Sequence, residues 1–277
     1  MKFGKKEILF CELNPFCYKL SLQKEILKRH LKDAMSKERI AHNFQEEKLP
    51  CVVYSYSSNM IKRAPGVDLS LQENKAVNLK IASNKINGII INPGETFSFW
   101  KIVGKTTKKK GYKDGRVIRQ NKLIPGTGGG LCNLGNIIHL LVLHSPLKVT
   151  EFHKHSDALA PEEKRIPLSA GTSVSYNNLD FRFKNITNQK IQLVFWSEGD
   201  KLYAEIRSEK EFPCNYKIVE ENHHFKKEGA KYFRNSKIFR EIFEKKTGDF
   251  LHKELIWDNH SEVMYDYSLI PKNLIKK

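Results

Sequence analysis

Three consecutive glycines and the aliphatic run behind them constrain this chain most. They read Gly128-Gly129-Gly130-Leu131-Cys132-Asn133-Leu134-Gly135-Asn136, then Ile137-Ile138-His139-Leu140-Leu141-Val142-Leu143. The glycines specify a loop that a residue with a side chain would crowd. The run is long and aliphatic enough for a buried helix, and Pro146 stops it near His144. A cysteine at such a junction lies near free backbone N–H groups and the positive end of the helix dipole. That setting lowers a thiol pKa and makes Cys132 a better nucleophile. The same letters also describe a tight turn with Cys132 as a small buried hydrophobe, and local residues leave both readings open.

Around this helix the pattern predicts an α+β fold: a central helix carrying the glycine loop, packed on an antiparallel sheet. Three parts are expected: a helical N-terminal extension (1–50), an α+β core (51–210) and a β-rich C-terminal appendage (211–277). In the first, Ser21 is placed to cap a helix through Lys37 with an apolar stripe of Leu22, Ile26, Leu27, Leu31, Ala34 and Met35. In the core, Ser70 and Glu73 have capping-box spacing and open a helix through about Lys85. Strands are expected at Val52–Tyr56, Ile89–Ile91, Thr96–Trp100, Arg116–Arg119, Lys148–His153, Thr172–Tyr176 and Asp180–Lys184. A hairpin turns at Glu198-Gly199-Asp200.

The 277 residues carry a formal charge of +17, which favours anionic partners: nucleic acid, acidic lipid or an anionic cell-wall polymer. The densest basic run contains Lys108, Lys109 and Lys110, candidate binding residues on what reads as an exposed loop; no nucleic-acid motif accompanies it. Five cysteines at irregular spacing are neither a disulfide framework nor a zinc pair. The apolar stretch Ile8 to Cys11 is too short for a signal-peptide core, and no run reaches the length of a membrane span. A cytoplasmic protein is the expectation.

Partners for Cys132 lie downstream: His153 and His155, two apart, then Asp157 and Asp180. A helix-start cysteine, a later histidine and a carboxylate follow the chain order of papain-like and transglutaminase-like thiol enzymes. There the thiolate attacks a carbonyl, the imidazole moves the proton and the carboxylate fixes the tautomer. His139 returns to the Cys132 face of the helix, so Cys132, His139 and His153 or His155 also compose a zinc alternative, with His139 as a core histidine its bland counterpart.

Several blocks together resemble the VanW family over roughly Tyr54 to Tyr265. They are Gln72-Glu73-Asn74-Lys75 with Asn78-Leu79-Lys80, Pro93-Gly94-Glu95-Thr96-Phe97-Ser98-Phe99-Trp100, the glycine loop with Leu131-Cys132, and Leu143-His144-Ser145-Pro146-Leu147. His155-Ser156, Ser175-Tyr176 with Asp180, and Asn259-His260 follow in order. The resemblance implies a link to glycopeptide resistance or cell-wall metabolism, and no established cofactor. The family usually has Gln after the motif cysteine and Ser two positions later, where this chain has Asn133 and Gly135; it usually has Arg-Trp-Arg-His where this chain has Phe152-His153-Lys154-His155. Two functions follow. One is a thiol-dependent hydrolase or acyltransferase with Cys132 as nucleophile, His155 as base, Asp180 as orienting carboxylate and Asn133 at the oxyanion. The other is a binding module in which Gly128, Gly129, Gly130 and the helix start hold an anionic polymer or cell-wall precursor, or nucleic acid.

Overall fold

The computed structural model describes residues 2–3, 6–7, 9–63, 68–119, 122–153 and 171–276. In chain order these form β1 (Lys2–Phe3), β2 (Lys6–Glu7), α1 (Pro15–Met35), β3 (Asn43–Phe44), β4 (Cys51–Asn59), α2 (Leu69–Ile86), β5 (Ile89–Ile91), β6 (Thr96–Ser98), α3 (Phe99–Val103), β7 (Asp114–Arg119), β8 (Lys122–Thr127) and α4 (Cys132–Leu143). Then come β9 (Lys148–Glu151), β10 (Arg182–Lys184), β11 (Ile191–Glu198), β12 (Lys201–Ser208), β13 (Cys214–Glu228), β14 (Lys231–Glu244), β15 (Phe250–Glu262) and β16 (Ile275–Lys276). The class is α+β, with sheets almost wholly antiparallel.

The centre is a five-stranded sheet in the order β3-β5-β11-β12-β4. Its middle hairpin, β11–β12, pairs from Ile191↔Ser208 to Glu198↔Lys201 and turns through Gly199 at positive φ, a conformation that glycine adopts without penalty. Strand β12 alternates, burying Leu202, Ala204 and Ile206, whereas β11 is buried at every residue from Ile191 to Phe195. Helix α2 packs on β11 and α4 on β12 and β4, and the two helices touch. Leu79, Ala82 and Ile86 of α2 join Leu134, Ile138 and Leu141 of α4 in one core. A second sheet, β6-β10-β9, stacks Phe97 on Phe183 with ring centroids 4.9 Å apart. The long strands β15-β14-β13 form a third sheet, joined by β16 parallel to β13. That sheet meets the end of α4 where Ile238 packs on Leu143, with Ile218, Ile256 and Trp257 alongside.

Local physics moves several expected boundaries. Helix α1 starts at Pro15, not Ser21, because Asn14 Oδ1 accepts from Cys17 N at 2.9 Å and proline suits the first helical position. Helix α2 is capped by Asp68, whose carboxylate accepts from the N–H groups of Ser70 and Leu71, and not by a Ser70–Glu73 box. The strand expected to reach Trp100 ends at Ser98, whose hydroxyl accepts from Lys101 N and starts α3. Thr172–Tyr176 is not a strand; Ser175 and Leu179 make an isolated bridge around a turn with Asn177 at φ 49°. The expected stripe on α1 is split, with Leu22 and Ile26 half-buried while Leu27, Leu31, Ala34 and Met35 are exposed.

An ionic network fastens α1 to the body. Arg29 holds Glu151 with both guanidinium nitrogens, Arg182 Nη2 reaches Asp33 at 2.8 Å and Arg182 Nη1 reaches Glu38 at 3.3 Å. Lys101 adds a second cation on Asp33 at 3.0 Å. Burial pushes the Glu151 carboxyl up. Donation from His153, Arg29 and the Asp180 N–H outweighs burial and brings it down to about 2 from 4.5. The ionised form is therefore preferred on folding, so this stability is present above pH 4.5 and is lost as pH falls toward 2. Glu151→Gln is expected to cost about 3 kcal/mol at pH 7 by leaving Arg29 half-paired. In urea unfolding the variant should also lack the wild-type decline between pH 4.5 and 2 attributable to this group.

Candidate functional site

The glycine turn is built against α2. Asn78 is fully buried, and its side chain satisfies three backbone groups at once. Its Nδ2 donates to Lys113 O and Gly129 O, each at 3.0 Å, and its Oδ1 accepts from Lys113 N at 2.8 Å. One turn earlier Asn74 Nδ2 donates to Asp114 O at 2.9 Å. These bonds lay the β7–β8 ribbon and the turn that follows it onto α2. The approach is close enough to demand glycine: a Cβ on Gly129 would stand 2.3 Å from the Gly115 backbone. One on Gly130, at φ +92°, would stand 2.2 Å from Lys75 Cγ.

Lys75 therefore runs its stem directly over Gly130. Its amine is held down at about 8 from an ordinary 10.5, first by burial and then by the charges of Arg116 and Lys62. Among the described residues neither Lys75 nor Arg116 has a carboxylate partner. Cations gathered this way repel one another, and an anion relieves the repulsion. The turn delivers the chain into α4, where the Asn133 and Gly135 N–H groups are taken by Gly130 O and Leu131 O and the positive end of the helix dipole faces the turn. A floor of glycine, a half-buried lysine, a neighbouring arginine and a helix start form an anion-accepting arrangement.

Cys132 is the first residue of α4 and is partly exposed. Its Sγ lies 3.5 Å from the Val174 N–H that donates to it and 3.7 Å from Val174 O. Asn136 Oδ1 accepts from Thr172 N at 2.7 Å, so the segment 172–174 runs beside the helix start. Gly135 fits that segment, since a Cβ there would press on Thr172 and Val174 at 3.2 and 3.3 Å. Asn133 has its backbone N–H on Gly130 O at 3.0 Å, and its Oδ1 is buried without a hydrogen-bond partner among the described residues.

Asp180 is almost wholly buried, and its carboxylate is already engaged. It accepts from Ser98 Oγ (2.6 Å), Trp100 N (3.0 Å), Phe181 N (2.9 Å) and Arg182 Nε (2.8 Å). These bonds tie the start of α3 to β10, and among the described residues no histidine bonds this carboxylate. His153 Nε2 lies 2.8 Å from Glu151 Oε1. His139 is buried with its ring against Phe152 and Phe181. Among the described residues no three His, Cys, Asp or Glu side chains converge as metal ligands. His155 and Asp157 lie outside the described residues. Lys108, Lys109 and Lys110 form an exposed turn, with Lys108 paired to Asp114 at 3.1 Å.

Lys75, Arg116 and Asn78 are the residues that sequence reasoning did not single out as a site. Lys75 and Asn78 stand inside the block Gln72 to Lys80, so the signal was present as a motif without an assigned place. Two clefts of about 470 and 600 Å³ lie elsewhere, the first beside 36–39 and the second between Phe44 and Trp196.

A family model described as "VanW like protein" matches residues 74–207. The chain is 28% identical over 226 residues to the vancomycin B-type resistance protein VanW of Enterococcus faecalis, covering 81% of this chain and 82% of that protein. It is 27% identical over 167 residues to the uncharacterized protein YoaR of Bacillus subtilis, covering 60% of this chain and half of the other. No solved structure matches.

Two outcomes test the geometry of the turn. Asn78→Asp removes both donated bonds and sets a carboxylate against two carbonyl oxygens; it should cost about 3 kcal/mol in urea unfolding. Lys75 has the opposite sign. Below about pH 8 the native state bears the full penalty of its charge; from there to 10.5 the unfolded chain binds the proton more tightly, and stability rises with pH. Lys75→Met should therefore be more stable than wild type at pH 7, on the order of 2 kcal/mol. That difference should close as the pH approaches 10.5.

Proposed function

The chain belongs to the VanW family, and from that membership and the cationic turn ahead of α4 we propose that it binds an anionic cell-wall precursor or polymer at Gly128–Gly130. The observation that carries this reading is Lys75 laid across Gly130 beside Arg116, with no carboxylate among the described residues to neutralise either. A phosphate or carboxylate seated there meets two cations and the positive end of α4. The name of the Enterococcus faecalis relative, a vancomycin resistance protein, supports a ligand connected with the cell wall. The VanW-like core, residues 51–210, carries the site, and Lys108–Lys110 add long-range attraction from an exposed position.

A thiol-dependent hydrolase or acyltransferase is the second reading. The observation that favours it is Cys132 itself, partly exposed at a helix start with the Val174 N–H donating to its sulfur. In a papain-like arrangement His155 would be the base and Asn133, with its buried Oδ1 unpartnered among the described residues, would stand beside the reacting atoms. The engagement of Asp180 by Ser98, Trp100, Phe181 and Arg182 ranks this reading second.

Calorimetric titration with a poly(glycerol phosphate) wall polymer at several salt concentrations separates these ideas. Binding should weaken about tenfold in Lys75→Met and in Arg116→Ala, each with a shallower salt dependence. A triple Lys108→Ala, Lys109→Ala, Lys110→Ala variant should bind less than tenfold more weakly; the reverse ranking would place the ligand on the exposed run and overturn the assignment. Site-resolved iodoacetamide labelling of Cys132 against pH, in wild type and His155→Ala, addresses the thiol. The binding reading expects an ordinary thiol profile near ~8.5 in both. A profile well below that, raised by the histidine change, would put the thiol enzyme first.

A further inference from the structure

Helix α1 has two faces, and only one meets the protein. The inner face is fixed by Arg29 on Glu151, Asp33 on Arg182 and Lys101, and His30 near Asn177. Leu22 and Ile26 are half-buried on that side. On the outer face Phe16, Leu20, Leu27, Leu31 and Met35 are 71, 52, 60, 56 and 84% exposed. At about 100° per residue these five fall within an arc of about 100°, opposite the residues that hold the ionic contacts. The helix cannot roll this stripe inward without breaking those buried pairs.

The flanks decide what covers the stripe. Lys28 and Lys32 border one side, Lys19 borders the other and Lys24 stands within it; all four are exposed. Two acids stand close by: Glu25 is already paired with Lys24 and Lys28 at 3.5 and 3.2 Å, and Glu12 accepts from Leu9 N at 3.1 Å. Leu9, Phe10 and Leu13, also exposed, extend the apolar surface beyond the helix start. A second copy of so basic a face would repel the first, whereas lysines around an apolar stripe suit anionic headgroups. Among the described residues no helix is long and apolar enough to cross a membrane. We propose that α1 lies flat on an anionic lipid surface, its leucines and Phe16 in the acyl boundary and its lysines at the phosphates. The inference is independent of the glycine-turn reading.

Co-sedimentation of the full chain with vesicles tests it. The protein should pellet with equal parts phosphatidylglycerol and phosphatidylcholine, and not with phosphatidylcholine alone. Leu27→Gln with Leu31→Gln, both exposed, should weaken partitioning about a hundredfold while leaving the melting temperature unchanged. Lys28→Glu with Lys32→Glu should weaken it at least about tenfold. The proposal fails if the leucine variant binds like wild type while salt releases both, because the general positive charge is then sufficient. It fails equally if sedimentation velocity finds a wild-type dimer that the leucine changes dissociate and no vesicle binding, which makes the stripe a self-association seam.

Discussion

Much of the arrangement around the glycine turn depends on one buried amide. Asn78 has no contact with solvent, and its side-chain hydrogen bonds to Lys113 and Gly129 are to backbone outside its own helix. A buried carbonyl or N–H without a partner costs more than a typical bond contributes, so Lys113 and Gly129 are held to this side chain. The β7–β8 ribbon, the turn and the entry into α4 are thereby registered against α2 before any side chain of the turn contributes. Gly129 and Gly130 are required because the registry brings backbone and the Lys75 stem within the space a Cβ would occupy.

The second organising element is ionic. Asp180 joins the start of α3 to β10, Arg182 extends the junction to Asp33 and Glu38, and Glu151 adds Arg29 and His153. Burial alone would push Glu151 toward neutrality, and the surrounding donors outweigh it. A network of this kind specifies where a helix docks more than it adds net stability, because desolvation offsets most of the attraction. Its consequence is directional: it fixes which face of α1 points away from the body.

The family blocks sort between these two centres. Gln72 to Lys80 and the glycine loop meet at the candidate anion site, whereas Glu95 to Trp100 and Asp180 meet at the structural junction. The Leu143-to-Leu147 block has a third role. His144 stacks on Tyr54 at 3.8 Å, and Ser145 O accepts from Arg240 Nη1 at 2.9 Å, which ties the end of α4 to the central and C-terminal sheets. Asp180, read from the chain as an orienting carboxylate, is bonded in the structure to Ser98, Trp100, Phe181 and Arg182 at the junction of α3 with β10.

Patterns repeating over a few residues were legible in the sequence. The aliphatic run after the glycines, the alternation around Gly199, the stop at Pro146 and the triple-isoleucine strand each follow from local periodicity and turn chemistry. Docking was not legible at that level: the α1 stripe divided between body and solvent because that choice depends on what lies alongside. The caps Asn14 and Asp68, by contrast, accept from N–H groups two or three residues on, a local signal that apolar periodicity alone does not separate from Ser21 and Ser70. By itself the sequence determined that glycine must precede this helix, that the helix is apolar and that the chain is strongly cationic. Only the tertiary structure decided that Lys75 lies over Gly130, that Asp180 is engaged by Ser98 and Arg182, and that the leucines of α1 face outward. Apart from the Asp180–Arg182 pair, those outcomes rest on contacts between residues dozens to more than a hundred positions apart, which no local periodicity encodes.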